Sequence, residues 1–208
     1  MNVRRASTVK RALGLLSVLS VGMVLNACGS AYPFEAADLV GTWASPSCEV
    51  GTGADGSSFY YTRTFTMTES TWSIDFSLFG DVACGYKLST ATIAGPFELL
   101  ELVEGLEGTR QGNFDGASKT LVAFDPGMAD YFGASGCGTE AWTVGTAQDV
   151  GETGCAPLGL DSVEKCPTEF DIVKLEGNNL YFGDRSNGMC DASKRTSKLQ
   201  TVPVVKAE

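Results

Sequence analysis

The chain has 208 residues, with 25 Asp and Glu against 15 Lys and Arg, a formal charge of −10, seven Cys and no His. An acidic body of this kind argues against nucleic acid and against anionic headgroups as surface partners, because both repel it. The lack of His removes the usual base of a Ser nucleophile and the commonest zinc ligand.

The chain opens with Arg4, Arg5, Lys10 and Arg11, followed by an apolar run from Ala12 to Leu25 and then Leu25-Asn26-Ala27-Cys28. This is the charged start, apolar centre and small-residue cleavage site of a secretory signal. The 14 residues from 12 to 25 fall short of the ~20 that a membrane-spanning helix requires. The ending looks like a lipobox, in which the Cys is acylated and becomes the first mature residue. Cys28 is therefore the expected lipidation site, in a signal of residues 1–27, a tether of 28–37 and a folded domain of 38–208. Loss of the four basic signal residues takes the formal charge from −10 to −14. Acyl chains contribute roughly 0.8 kcal/mol per buried CH₂, so several chains on Cys28 anchor the protein stably. Gly29 stands where the inner-membrane retention signal of enterobacterial lipoproteins has Asp. The expected location is the outer membrane, facing the periplasm or the surface.

Past the tether, apolar residues alternate with period two. Tyr61, Arg63, Phe65 and Met67 share one strand face, with Thr62, Thr64, Thr66 and Thr68 on the other. Trp72, Ile74, Phe76 and Leu78 alternate with Thr71, Ser73, Asp75 and Ser77. Such strands are wet on one side and apolar on the other. Further strands are predicted at 39–46, 86–94, 97–104, 119–124, 141–146, 168–175, 179–183 and 196–204. Asp115-Gly116 and Gly177-Asn178-Asn179 carry turn chemistry, since Gly and Asn accept positive φ. One short helix is predicted at 126–134, capped by Asp125 with Pro126 in its first turn. The fold class expected is mainly β, a single antiparallel barrel, half-barrel or sandwich.

Besides Cys28 there are six cysteines: Cys48, Cys84, Cys137, Cys155, Cys166 and Cys190. An even number in an exported chain implies three disulfides, with 15 connectivities open to spacing alone. No Cys-x-x-Cys occurs, which removes the thioredoxin-like and zinc readings.

Gly41-Thr42-Trp43 looks like the Gly-x-Trp start of lipocalin-like barrels, where the Trp plugs one end and often stacks on an Arg; Arg63 is the candidate here. A longer match begins with Leu39-Val40-Gly41-Thr42-Trp43, Cys48-Glu49-Val50, Thr62-Arg63-Thr64-Phe65, Thr71-Trp72 and Cys84. It continues through Cys137-Gly138-Thr139-Glu140, Trp142, Val144-Gly145, Gln148-Asp149-Val150, Gly154-Cys155 and Leu158-Gly159. Thr168-Glu169-Phe170-Asp171-Ile172 and Arg195-Thr196-Ser197 complete it. In this order, over residues 39 to about 203, the chain resembles the repeated extracellular domain of the vertebrate membrane Wnt antagonists named for down-regulation by adenomatosis polyposis coli.

That resemblance implies a β-barrel-like domain with an open apolar pocket, which in the Wnt antagonist takes up the fatty-acyl group carried by Wnt. It also implies the pairs Cys48–Cys84 and Cys137–Cys155, leaving Cys166 and Cys190 to pair outside the family pattern. This chain has one such domain where the animal protein has two, and a lipid anchor in place of a transmembrane helix. Bacteria make no Wnt, so only the type of pocket carries over.

Catalytic readings fare poorly. Gly51-Thr52-Gly53-Ala54-Asp55-Gly56 precedes a Tyr-rich strand where a phosphate loop needs a helix. Asp184, Asn187 and Asp191 do not have calcium-loop spacing. Glu98, Glu101, Glu104 and Glu107 read as a solvated acidic face. No enzyme activity, metal or cofactor is expected.

The sequence therefore predicts a lipid-anchored envelope protein that binds an apolar ligand, a fatty-acyl chain, in a barrel pocket. The lining is predicted as Tyr61, Phe65, Met67, Trp72, Ile74, Phe76 and Leu78, with Met128, Tyr131 and Phe132 at the mouth. The alternative is a closed β-domain with a filled core, serving in surface adhesion or protein interaction. Pocket and core use the same residue types, so volume distinguishes them: an apolar cavity of ~300 Å³ or more favours a ligand.

Overall fold

The computed structural model describes residues 32–53, 55–139, 141–186 and 188–207; Cys28 and the signal lie outside the described residues. The elements in chain order are α1 (Ala36–Leu39), β1 (Gly41–Ala44), β2 (Glu49–Thr52), β3 (Ser58–Met67), β4 (Thr71–Phe79), β5 (Lys87–Leu102), β6 (Thr109–Asp115), β7 (Ser118–Ala123), α2 (Pro126–Ala134), β8 (Ala147–Asp149), β9 (Thr168–Glu176), β10 (Asn179–Phe182) and β11 (Val204–Lys206). Every pairing between these strands is antiparallel. The protein is mainly β, and a ring of eight strands closes in the order β3-β1-β11-β10-β9-β6-β5-β4 and back to β3. β2 lies on the free edge of the first half of β3, and β7 with β8 continues from β5 outside the ring.

β3 and β4 form where alternation predicts them. Thr62, Thr64 and Thr66 stand opposite Ser77, Asp75 and Ser73 on the outer face, while Phe65 and Met67 stand opposite Ile74 and Trp72 inside. Cross-strand pairs of matching character stabilise such a hairpin by roughly 0.2–1 kcal/mol each. The predicted strands at 86–94 and 97–104 are one strand, β5, that runs through Gly95-Pro96 and changes partner there. Residues 87–96 pair with β4, and the stretch after Pro96 pairs with β6. Gly95 is needed at this crossing, because a Cβ would stand 2.1 Å from the carbonyl oxygen of Asp115.

Several expectations need correction. β6 was not predicted, and Asp115-Gly116 does not turn a hairpin; β6 and β7 lie end to end along β5. Residues 141–146 form no strand, because Trp142 turns to the second core and donates its Nε1–H to the Cys137 carbonyl at 2.8 Å. Of 196–204 only Val204 joins a strand, extended to Lys206 in β11. The helix at 126–134 has the predicted bounds, and Asp125 accepts from the Met128 backbone N–H at 3.1 Å.

The part of the expected tether that is described, residues 32–37, belongs to the folded domain. Phe34 is buried in the barrel core, and Arg110 reaches across the barrel end to the Phe34 carbonyl and the Glu35 carboxylate, both at 2.9 Å. The Tyr32 ring stacks on the same guanidinium at 3.8 Å. Trp43 donates to the Leu39 carbonyl at 2.7 Å and closes this end with it. The cation over its ring is Lys206 at 5.2 Å, while Arg63, the expected partner, pairs with Glu49.

The three disulfides are Cys48–Cys84, Cys137–Cys155 and Cys166–Cys190. Two apolar cores result. One fills the barrel around Trp43, Phe65, Met67, Trp72, Phe97, Phe114 and Phe182. The other packs α2 and Cys137–Cys155 against β5 and β7 through Ala91, Leu121, Phe132, Val150 and Leu160.

Candidate ligand cavity

The barrel is filled at one end and hollow at the other. At the end closed by Trp43, inward side chains interlock: Phe65 stacks on Phe182 with ring centres 4.2 Å apart, and Trp72 meets Phe114 edge-on at 5.2 Å. Moving along β3 towards its start, the inward positions pass from Met67 and Phe65 to Arg63, Tyr61 and Phe59. Opposite them β4 offers Ile74 and Phe76, and β5 offers Ile93 and Ala91. Ala91 is small and Tyr61, Phe76 and Ile93 are only half-buried, so the interior is left open here.

A cavity of about 450 Å³ lies here, between the two cores. Its apolar wall is Phe59, Tyr61, Ile74, Phe76, Ala91, Ile93, Leu158, Leu160 and Met189; Arg63, Asp161, Glu169, Arg185 and Gln200 form the polar side. The Tyr61 and Phe76 rings stack at 5.0 Å, and Phe59 leans on Tyr61 at 5.5 Å. Gly51 on β2 makes this possible, since a Cβ there would stand 2.2 Å from the Phe59 ring. A second, more polar groove of about 470 Å³ along Cys48, Val50 and Thr201 shares Tyr61, Arg185 and Gln200 with the cavity.

The outer wall is made of loops, and specific contacts hold them. Lys119 is 3 % exposed, and its ammonium donates to the carbonyls of Asp161 (2.8 Å), Cys166 (3.1 Å) and Ser162 (3.3 Å). Burial pushes its pKa down, while the Glu169 and Asp161 carboxylates oppose the shift. Cys155 and Leu160 exchange backbone hydrogen bonds of 2.7 and 3.2 Å, which set Leu158 and Leu160 over the cavity. The Phe170 N–H donates to the Met189 carbonyl at 2.8 Å, beside Cys166–Cys190.

The charges at the cavity are engaged with one another. Arg63 is held by Glu49 at 2.8 Å and by the Gln200 and Val202 oxygens; Arg185 is held by Glu169 at 3.0 Å. Below them, Asp171 is 1 % exposed and accepts from the backbone N–H groups of Ile172 (2.7 Å) and Gly183 (2.8 Å). Burial pushes its carboxyl up to about 6, against the opposing pull of Arg185. Among the described residues, no three His, Cys, Asp or Glu side chains converge to hold a metal ion, and no helix is long and apolar enough to cross a membrane. The arrangement suits burial of an apolar group beside a hydrogen-bonding edge.

Three predicted lining residues, Tyr61, Ile74 and Phe76, line the cavity. Phe65, Met67 and Trp72 lie instead in the filled core, at 1, 2 and 3 % exposure, because their strand positions fall at the closed end. Leu78 is half-buried and outside the lining. Met128, Tyr131 and Phe132 do not reach the mouth. Phe132 is buried in the second core with Met128 packed on it, and Tyr131 faces solvent at 50 % exposure. Phe59, Ala91 and Ile93 were missed although they continue the same alternation. Leu158, Leu160 and Met189 come from loops, where no periodic signal exists.

No protein-family model matches the chain, and no curated protein is significantly similar to it.

Proposed function

We propose that this is a lipid-anchored envelope protein that binds an apolar ligand, a fatty-acyl chain, in the hollow end of its barrel. The observation that carries the reading is the cavity of about 450 Å³ walled by Tyr61, Ile74, Phe76, Ala91, Ile93, Leu158, Leu160 and Met189. Its size falls within the ~300–1,000 Å³ of small-molecule sites. Apolar area that a chain removes from water there gains about 25 cal/mol per Å². The ordered resemblance to the Wnt-antagonist domain supports the same type of ligand, and the lipobox-like stretch ending at Cys28 supports the anchor and an outer-membrane location. A closed adhesion domain lacks any need for the hollow end. Native mass spectrometry of the purified protein tests the reading: a bound mass of an acyl lipid that organic solvent removes supports it. A protein that never carries or accepts such a mass would count against it.

A further inference from the structure

A row of side chains crosses the outer surface of the hollow end. Val50 stands opposite Tyr60, Tyr60 opposite Phe79, and Phe79 opposite Lys87, across β2, β3, β4 and β5. Directly paired residues share a face, and a register shift between Leu78 and Phe79 brings Lys87 to the Phe79 side. Their chain neighbours Tyr61 and Leu78 pair on the inner face, so this row points outward. Phe124 joins it: its N–H donates to the Leu88 carbonyl at 2.8 Å, and the Lys87 ammonium lies 5.7 Å from the Phe79 ring and 5.5 Å from the Phe124 ring. Val50, Phe124 and the adjacent Tyr86 are 59, 42 and 54 % exposed.

We propose that this row docks the protein on a neutral, zwitterionic lipid surface, and that acyl chains pass between that surface and the cavity there; the transfer half rests on the function proposed above. The chemistry fits that partner. Tyr and Phe rings with a Lys on an apolar stem are the side chains that settle at headgroup depth. Lys87 is the one charge in the row and matches a headgroup phosphate. Two carboxylates border the row: Asp125 is engaged by the Tyr86 hydroxyl and the Met128 N–H, and Asp81 by the backbone N–H groups of Ala83, Gly85 and Tyr86. The excess negative charge of the rest of the domain disfavours an anionic surface.

Position supports it as well. Phe59, Tyr60 and Tyr61 alternate along β3 between cavity, row and cavity, so the row flanks the mouth. The segment at Tyr32–Leu39 docks at the opposite end of the barrel, on Arg110 and Trp43, so the lipid surface that the row meets is a second one, not the membrane that would hold Cys28. Each methylene that enters water during release slows that release, so handover at a surface outruns passage through water.

The test uses the secreted chain with Cys28→Ser, loaded with anthroyloxy-palmitate and mixed with phosphatidylcholine vesicles that carry a quencher. The transfer rate should rise in proportion to vesicle concentration. Phe124→Ser with Lys87→Glu should slow transfer at least tenfold, leaving probe affinity in vesicle-free buffer and the denaturation midpoint unchanged. A rate independent of vesicle concentration, or wild-type transfer by the double variant, overturns the proposal. Flotation of unloaded protein with the same vesicles is read alongside, and its absence overturns the docking whatever the cavity does. Flotation that the double variant abolishes, in a protein that takes up no probe, upholds the docking and refutes only the function proposed above.

Discussion

Glu49 and Arg63 form a two-point ion pair beside the cavity, Oε1 to Nε at 2.8 Å and Oε2 to Nη2 at 2.9 Å, with 7 and 6 % of their side chains exposed. A buried pair of this kind is costly to break on one side, because the remaining charge has no water to return to. Glu49→Gln should therefore cost about 3–5 kcal/mol in denaturant unfolding. The double change Glu49→Leu with Arg63→Met should cost less than Glu49→Gln alone. A double variant no more stable than the single one would refute the stranded-charge account.

Trp72 and Phe76 lie four residues apart on β4 and face the same interior, yet one is in the filled end and the other walls the cavity. Trp72→Ala leaves a hole in a dense core and should cost ~3–5 kcal/mol. Phe76→Ala removes a wall that already borders open space, so it should cost less in stability and more in fatty-acid affinity. Unfolding midpoints and probe titrations on both variants check the contrast; equal stability losses would mean that the two ends are packed alike.

The Asp171 carboxyl is raised to about 6 in the folded protein, against about 3.9 in an unfolded chain. The folded state therefore binds more protons between pH 4 and pH 6, and this group's contribution to stability falls as pH rises through that window. The shift corresponds to about 3 kcal/mol. Asp171→Asn retains a side-chain oxygen for the Ile172 and Gly183 N–H groups but cannot titrate. Relative to wild type it should gain stability from pH 4 to pH 7, read as unfolding midpoints at each pH. A difference between the two proteins that stays constant over this range contradicts the assignment.

Cys166–Cys190 joins two loops that border the mouth and closes a separation of 24 residues. On the chain-entropy view its loss costs ~3 kcal/mol. Both barrel and second core should survive Cys166→Ala with Cys190→Ala, because Lys119 still holds the 161–166 loop through three carbonyls. Adding Lys119→Met should then free that loop, seen as faster amide exchange at 158–166. Unchanged exchange in the triple variant would show that these contacts do not hold the wall.

What the sequence made legible follows from its patterning. β3 and β4 stand out because large side chains alternate with Thr, Ser or Asp over 61–67 and 71–78, and the α2 cap stands out because Asp125-Pro126 is local chemistry. β6 escaped notice because its inward positions are Arg110, Gly112 and Phe114, and two of those three are not apolar. Arg110 is inside only because it ties the Phe34–Glu35 segment across the barrel end, a contact 75 and 76 residues away in sequence. Gly95-Pro96 looked like a strand end and is a change of partner. Alternation marked Tyr61, Ile74 and Phe76 as inward, but it does not say which end of the barrel is hollow. That depends on where α1, Trp43 and the 154–166 loops close the structure.

Titration of the secreted Cys28→Ser chain with a fluorescent fatty acid tests the central claim most directly, with Phe76→Ala and Ile93→Asp as partners. The account predicts saturable binding of one probe per protein, displaced by unlabelled palmitate, with affinity reduced at least tenfold in either variant while folding is retained. Wild-type protein that is folded, stripped of lipid and unable to bind the probe would contradict it.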